Sequence, residues 1–221
     1  MARYGMVIDL NRCVRCRTCY VECKRAHNIL AHPRDTQHPY EYYRLRYVEW
    51  ETGTFPSVKR GFIPLQCLHC VNPICAAFCP TNAIVIGKDG LISLDREQCN
   101  GCGACANVCP YGALYIDHEG KADLCDFCFD RIKRGMVPAC VEMCPAGARV
   151  FGDLNHSDST ISKIITSKHA KPLLLKGQLN DRIFYIASRN EDNWDDLDSH
   201  ENFQTAMDMR KRDLPPVKGI L

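Results

Sequence analysis

Apolar residues in this chain come in short runs broken by polar and turn-forming stretches, and most of the runs read as strands rather than long helices. Met6-Val7-Ile8-Asp9 predicts a strand near the N-terminus. Tyr42 to Trp50 mixes aromatic, aliphatic and charged residues in a strand-like way. With Glu51-Thr52-Gly53 and a short strand near Phe62-Ile63 it predicts a hairpin. Ala83-Ile84-Val85-Ile86 and Leu91-Ile92-Ser93-Leu94 flank Gly87-Lys88-Asp89-Gly90, which predicts a second hairpin. Further on, Arg149-Val150-Phe151-Gly152 and Arg182 to Ala187 read as strands, and Asp158 to Ser167 as a short helix capped by Ser157 or Asp158. From Asn190 the chain is polar, with a helix expected near Asn202 to Arg212 and an extended Leu214-Pro215-Pro216-Val217, either a frayed tail or an arm around a partner.

Between these elements lie sixteen cysteines in four groups of four. The first is Cys13-x2-Cys16-x2-Cys19-x3-Cys23, the second Cys67-x2-Cys70-x4-Cys75-x3-Cys79-Pro80 and the third Cys99-x2-Cys102-x2-Cys105-x3-Cys109-Pro110. The fourth is stretched, Cys125-x2-Cys128-x11-Cys140-x3-Cys144-Pro145. Four thiolates hold one cubane iron–sulfur cluster, and C-x2-C-x2-C-x3-C-P is the bacterial ferredoxin run. Disulfide scaffolds spread their cysteines to staple distant segments. Zinc sites favour two C-x2-C knuckles separated by roughly 12 to 20 residues. Only the fourth group would pass as zinc if it stood alone. The spacing therefore points to four [4Fe–4S] clusters and to electron transfer.

In two-cluster ferredoxins the last cysteine of each run ligates the cluster of the other run, so the motifs pair. The hairpin between Cys79 and Cys99 joins the second motif to the third, and elimination joins the first to the fourth. Cluster a then takes Cys13, Cys16, Cys19 and Cys144, and cluster b takes Cys23, Cys125, Cys128 and Cys140. Cluster c takes Cys67, Cys70, Cys75 and Cys109, and cluster d takes Cys79, Cys99, Cys102 and Cys105. Pro80, Pro110 and Pro145 turn the chain away after each last cysteine, whereas Lys24 stands at that place in the first motif. His69, between Cys67 and Cys70, reads as a neighbour of a cluster rather than a ligand, because its motif already holds four cysteines.

The 221 residues carry a formal charge of +2. Each four-thiolate site with a 2+ core adds a net two negative charges, which brings the loaded chain to roughly −6 and argues against a nucleic-acid partner. Arg12, Arg15, Arg17, Lys24 and Arg25 surround the first motif, and Arg131, Lys133 and Arg134 lie in the fourth. They read either as cations that favour cluster reduction or as a solvated basic face. The apolar runs, such as Leu173-Leu174-Leu175 and Ile183 to Ala187, are too short to span a bilayer, so no direct membrane insertion is expected. The N-terminus has neither an apolar signal region nor a twin-arginine motif, so this chain alone is expected to stay in the cytoplasm. No nucleophile or general-base pair competes with the cysteines, and no catalysis by this chain alone is expected.

The four motifs in this order, with Gly5-Met6-Val7-Ile8-Asp9, Leu65-Gln66-Cys67-Leu68-His69-Cys70 and Cys125-Asp126-Phe127-Cys128, resemble the four-cluster iron–sulfur electron-transfer subunits of the dimethyl sulfoxide reductase superfamily. Within it the resemblance is nearest to the arsenate, polysulfide, thiosulfate and tetrathionate reductase group. The likeness runs from the N-terminus to about Ala187. It implies a large molybdopterin catalytic subunit that holds a Mo/W-bisPGD cofactor, and a quinone-handling membrane subunit or a cytochrome at the other end of the relay. It also implies export to the periplasmic side with a twin-arginine-bearing partner; the alternative is a cytoplasmic formate dehydrogenase or hydrogenase complex. The nitrate reductase relative has a tryptophan where this chain has Cys102, and so holds a three-iron cluster; here all four clusters are expected to be [4Fe–4S]. The expected fold is α+β: two ferredoxin-like two-cluster modules with short β-hairpins and helices, plus a C-terminal extension. The outer module spans 1–61 and 118–150, the inner module 62–117, and the extension, expected to contact a partner subunit, 151–221. A zinc-stabilised scaffold without redox activity is the remaining alternative.

Overall fold

The computed structural model describes residues 2–29, 42–174 and 180–187. Its main sheet has four strands. The central strand β1 (Tyr4–Asp9) runs antiparallel to β8 (Arg149–Asp153), with Ile8 opposite Arg149, and parallel to β10 (Ile183–Ile186), with Met6 opposite Ile183. The short β9 (Lys171–Pro172) pairs with β10, which gives the order β8-β1-β10-β9. Strand alternation sorts the side chains of β1 onto two faces. Val7 packs with Ile161 and Ile186 under helix α6 (Thr160–Ser167), whereas Met6 and Ile8 enter the main core. Burying an aliphatic side chain of this kind stabilises by about 1.5–3 kcal/mol. The α6 cap is Ser159, whose hydroxyl accepts the Ser162 amide at 3.2 Å, rather than Ser157 or Asp158. The shift is small in sequence, and Ile161 in the first helical turn packs with Val7 of the sheet.

This antiparallel pairing explains how the first and fourth motifs meet. The end of β1 lies against the start of β8, and the Asp9 amide donates to the Ala148 carbonyl at 2.8 Å. The segment after β1, with Cys13 to Cys23, and the segment before β8, with Cys140 and Cys144, therefore leave the sheet at one edge. Helix α1 (Thr18–Ala26) carries Cys19 and Cys23 and packs against α5 (Ala139–Glu142), which carries Cys140. Helix α4 (Phe129–Lys133) lies in the stretched part of the fourth motif.

A hairpin of β2 (Leu45–Thr52) and β3 (Lys59–Gln66) leads into Cys67. The middle of the molecule then repeats one unit, a short helix followed by a hairpin. Helix α2 (Ile74–Ala77) precedes β4 (Ile84–Ile86) and β5 (Ile92–Leu94); helix α3 (Ala104–Val108) precedes β6 (Tyr115–Ile116) and β7 (Ala122–Asp123). Helices α2 and α3 pack together, as α1 and α5 do. The fold is thus ferredoxin-like, with mixed helices and small sheets around cysteine loops.

The boundaries at 61/62 and 150/151 fall inside β3 and β8, and 117/118 falls within the β6–β7 hairpin. One core runs through both halves, from Met6 and Ile8 to Ile92 and Leu114. The described part of the stretch from 151 onward completes this core: Tyr185 donates to the Pro64 carbonyl at 3.0 Å, and Asn180 bridges the backbone of Cys70. The helix expected near Asn202 to Arg212 and the extended Leu214–Val217 lie outside the described residues.

Candidate metal centres

Each C-x2-C loop bends in the same way. The residue before its second cysteine is left-handed: Arg15 at φ 54°, His69 at 50°, Gly101 at 71° and Phe127 at 56°. For a residue with a Cβ this costs roughly 1–2 kcal/mol. In return, the turn aims backbone amides inward, a nest that favours negative charge. The Arg15 and His69 amides donate in this way to the thiols of Cys13 and Cys67. At Gly101 there is no choice of residue, because a Cβ would collide with the Gly120 carbonyl.

The prolines open a second repeated turn, Cys-Pro-x-(Asn/Gly)-Ala, with Asn82, Gly112 and Gly147 left-handed at 54–55°. It returns the amide four residues on to the cysteine. Ala83 donates to Cys79 Sγ at 3.2 Å, Ala113 to Cys109 at 3.5 Å and Ala148 to Cys144 at 3.3 Å. In the first motif, where Lys24 replaces proline, α1 continues through Cys23 to Ala26.

These turns bring together thiols that are distant in sequence. Cys13, Cys16, Cys19 and Cys144 line one cavity, and Cys16 is exposed at its rim. Burial and then the neighbouring Cys19 and Cys144 push the Cys13 thiol up, against the pull of Arg149. Cys125 is raised by burial and by Cys23, Cys128 and Cys140. Cys67 is raised by burial and by Cys75, Cys109 and Cys70. Burial, Cys99, Cys79 and Cys102 push Cys105 up to about 12. Across the sets, Cys140 feels Cys19, and Cys75 feels Cys105. Yet among the described residues no three His, Cys, Asp or Glu side chains stand close enough to share a single metal ion. The donor set itself, four thiolates per motif with bacterial ferredoxin spacing, fits a cubane iron–sulfur cluster.

Side chains add donors in the outer half. The Tyr47 hydroxyl is 3.2 Å from Cys19 Sγ. His27 Nε2 is 3.2 Å from Cys128 Sγ, and its Nδ1 is 2.9 Å from Arg44 Nη1. Arg44 donates to Nδ1, so the His27 proton sits on Nε2, facing the sulfur. Arg44 in turn is paired with Asp123 at 2.8 Å and Asp126 at 3.1 Å. Most cations around the motifs are engaged elsewhere. Arg15 and Arg17 pair with Glu49 at 3.4 and 3.0 Å, Arg25 with Glu22, and Arg131 with Glu142. Lys24 and Lys133 lie over the rings of Tyr20 and Phe129. Two cations act on the outer thiols: Arg44, beside Cys23, Cys125 and Cys128, and Arg149, which residue spacing marks only as the start of a strand and which donates to Cys140 Sγ.

His69 is fully buried. Its Nδ1 accepts the Ile92 amide at 2.9 Å, and its ring stacks on Phe127 with centroids 4.3 Å apart. Burial and Arg182 lower its pKa to about 3, so the ring is neutral with its proton on Nε2. His69 Nε2 and Arg149 Nη2 are buried donors with no partner among the described residues. Both belong to loops or strands that border the thiol quartets, where sulfur would satisfy them.

Sixteen thiols in ferredoxin-spaced motifs, several of them met by backbone amides, point to an iron–sulfur electron carrier. Comparison with known proteins agrees. Residues 58–154 match the family described as 4Fe-4S dicluster domain. The sequence is 34% identical to a subunit of the tetrathionate reductase of Salmonella typhimurium, over 83% of this chain and 72% of the relative. It is 34% identical to a subunit of the sulfite dehydrogenase of Allochromatium vinosum, over 99% and 96%. It is 32% identical to a subunit of the anaerobic dimethyl sulfoxide reductase of Escherichia coli, over 81% and 91%. This protein belongs to the family of iron–sulfur subunits of the dimethyl sulfoxide reductase superfamily, the electron-transfer subunits of its reductase complexes.

Proposed function

We propose that this chain holds four [4Fe–4S] clusters, a to d, with the ligand sets given above, and relays electrons between a Mo/W-bisPGD catalytic subunit and a quinone- or cytochrome-linked partner. Bound clusters would supply one-electron outer-sphere transfer. The single observation that carries this reading is the meeting of each thiol trio with the last cysteine of its partner motif, as at the cavity lined by Cys13, Cys16, Cys19 and Cys144.

The contacts between quartets form a line. Cys19 and Cys140 neighbour each other where sets a and b meet, the stacked rings of Phe127 and His69 link b to c, and Cys75 neighbours Cys105 where c meets d. The protein keeps water from most of these sulfurs by burial, stabilises their negative charge with amide donors, and leaves Cys16 exposed at one end. No helix among the described residues is long and apolar enough to cross a membrane. Export would follow a folded partner that carries the twin-arginine signal.

Anaerobic purification with the large subunit tests this reading. About sixteen irons and as many acid-labile sulfides per chain, with visible absorbance bleached by dithionite, are expected. About four zinc ions without sulfide would overturn it.

A further inference from the structure

Arg149 is only 5% exposed, and its Nη1 touches Met6 Sδ at 3.3 Å, Gln66 Oε1 at 3.3 Å and Cys140 Sγ at 3.9 Å. Its Nη2 has no partner among the described residues, and no carboxylate among them pairs with it. The groups that favour its charge are Cys19, Cys140, Tyr47 and Tyr185. A guanidinium buried without a counter-ion is strongly unfavourable, so the negative charge that balances it has to come from the thiolate sites themselves.

Its position is shared. Arg149 lines the cavity of Cys13, Cys16, Cys19 and Cys144, and it donates to Cys140 of the second set. At the corresponding seam of the inner half the largest influences on Cys75 and Cys105 are burial, other thiols and backbone amides, and no cation stands among them. A fixed positive charge at low dielectric favours whichever state of a neighbouring group is more negative.

We propose that Arg149 is a positioning residue that sets the redox balance of clusters a and b together, its one buried charge raising both reduction potentials relative to the inner pair. This rests on the cluster assignment above and adds to it a functional asymmetry between the two pairs. The forked guanidinium matters as well as its charge, since Nη1 is held by Met6, Gln66 and Cys140 while the buried Nη2 keeps a donor with no partner among the described residues.

The test is a redox titration followed by electron paramagnetic resonance on the full chain with its catalytic partner, in wild type, Arg149→Met and Arg149→Lys. In Arg149→Met two of the four midpoints should fall by at least the equivalent of a tenfold change in the reduced-to-oxidised ratio, about 59 mV for one electron. The other two should hold, and Arg149→Lys should recover most of the loss. A full iron content with all four midpoints within twofold of the wild-type ratio would overturn this inference and leave the cluster assignment standing. Should Arg149→Met fail to assemble, the wild type grown with 15N-arginine decides. A guanidinium-nitrogen hyperfine coupling to a reduced cluster, lost in Arg149→Lys, supports the proposal, and no such coupling refutes it. Wild-type protein without iron would overturn the cluster assignment and this inference together.

Discussion

The inner quartets draw on cysteines between 67 and 109, close enough in sequence for local turns to position them; the outer quartets join 13–23 to 125–144 and need the β1–β8 pairing to bring them together. The donors differ accordingly. Inner sulfurs take amides from Ala83, Ala113 and Ala122, the last reaching Cys99 at 3.4 Å, and one side-chain hydroxyl, that of Thr81, 3.7 Å from Cys79 Sγ. Outer sulfurs take the Ala148 amide and also Tyr47, His27 and Arg149 side chains. Backbone donors come with the turn and change little on substitution. Side-chain donors are a separate choice at each position, so the outer half is where this fold can most readily be retuned.

Ile8→Ala should break that contrast most severely. Ile8 is fully buried on the strand that carries the outer half, and truncation of such a residue costs about 2–5 kcal/mol. The thermal midpoint should drop, and a mild chelator should remove iron from the outer sites first. Equal loss from all four sites would mean that the single core, rather than the sheet, holds the outer quartets in place.

The middle-sized effect is chemical. Cys102→Ser should convert the site of Cys79, Cys99 and Cys105 into a three-iron form with its own paramagnetic signal, while the outer pair keeps its spectra. Unchanged spectra would remove Cys102 from that set, and a change in the outer signals would dissolve the division into pairs.

Much of this architecture was legible from residue spacing, because cysteine ligands and turn prolines act locally. The hairpin at Ile84–Leu94 and the strands at Tyr4–Asp9 and Arg149–Asp153 carry recognisable apolar runs. That β1 and β8 pair with each other is a tertiary fact with no local signal, as is the parallel addition of β10. The two-residue strands of the β6–β7 hairpin are too short for a periodic pattern. For the charged residues, spacing left two readings open, cations that tune the clusters or a solvated basic face. Arg15 and Arg17 stand beside Cys16 in sequence, yet Glu49 from the hairpin binds them. Arg149 stands five residues after Cys144 and reaches the sulfurs because strand alternation turns it inward beside Met6. His27 had a findable signal, since it follows Cys23 at one helical turn, i to i+4.

The smallest effect is the most discriminating for the role of side-chain donors. Tyr47→Phe keeps the ring that packs against Phe62 and removes only the hydroxyl next to Cys19. A net hydrogen bond contributes about 0.5–1.5 kcal/mol. If that contribution favours the reduced state alone, one electron converts it to roughly 20–60 mV. One outer midpoint should therefore fall by this amount, with stability and the inner midpoints nearly unchanged. The direction follows from charge: the reduced site is more negative, so losing a donor penalises it more than the oxidised one. A shift confined to the inner clusters would place Tyr47 outside the set it neighbours. A fall as large as that expected for Arg149→Met would show that a neutral donor rivals a buried cation here, and the distinction between the two halves would then lie in their number of donors rather than in charge.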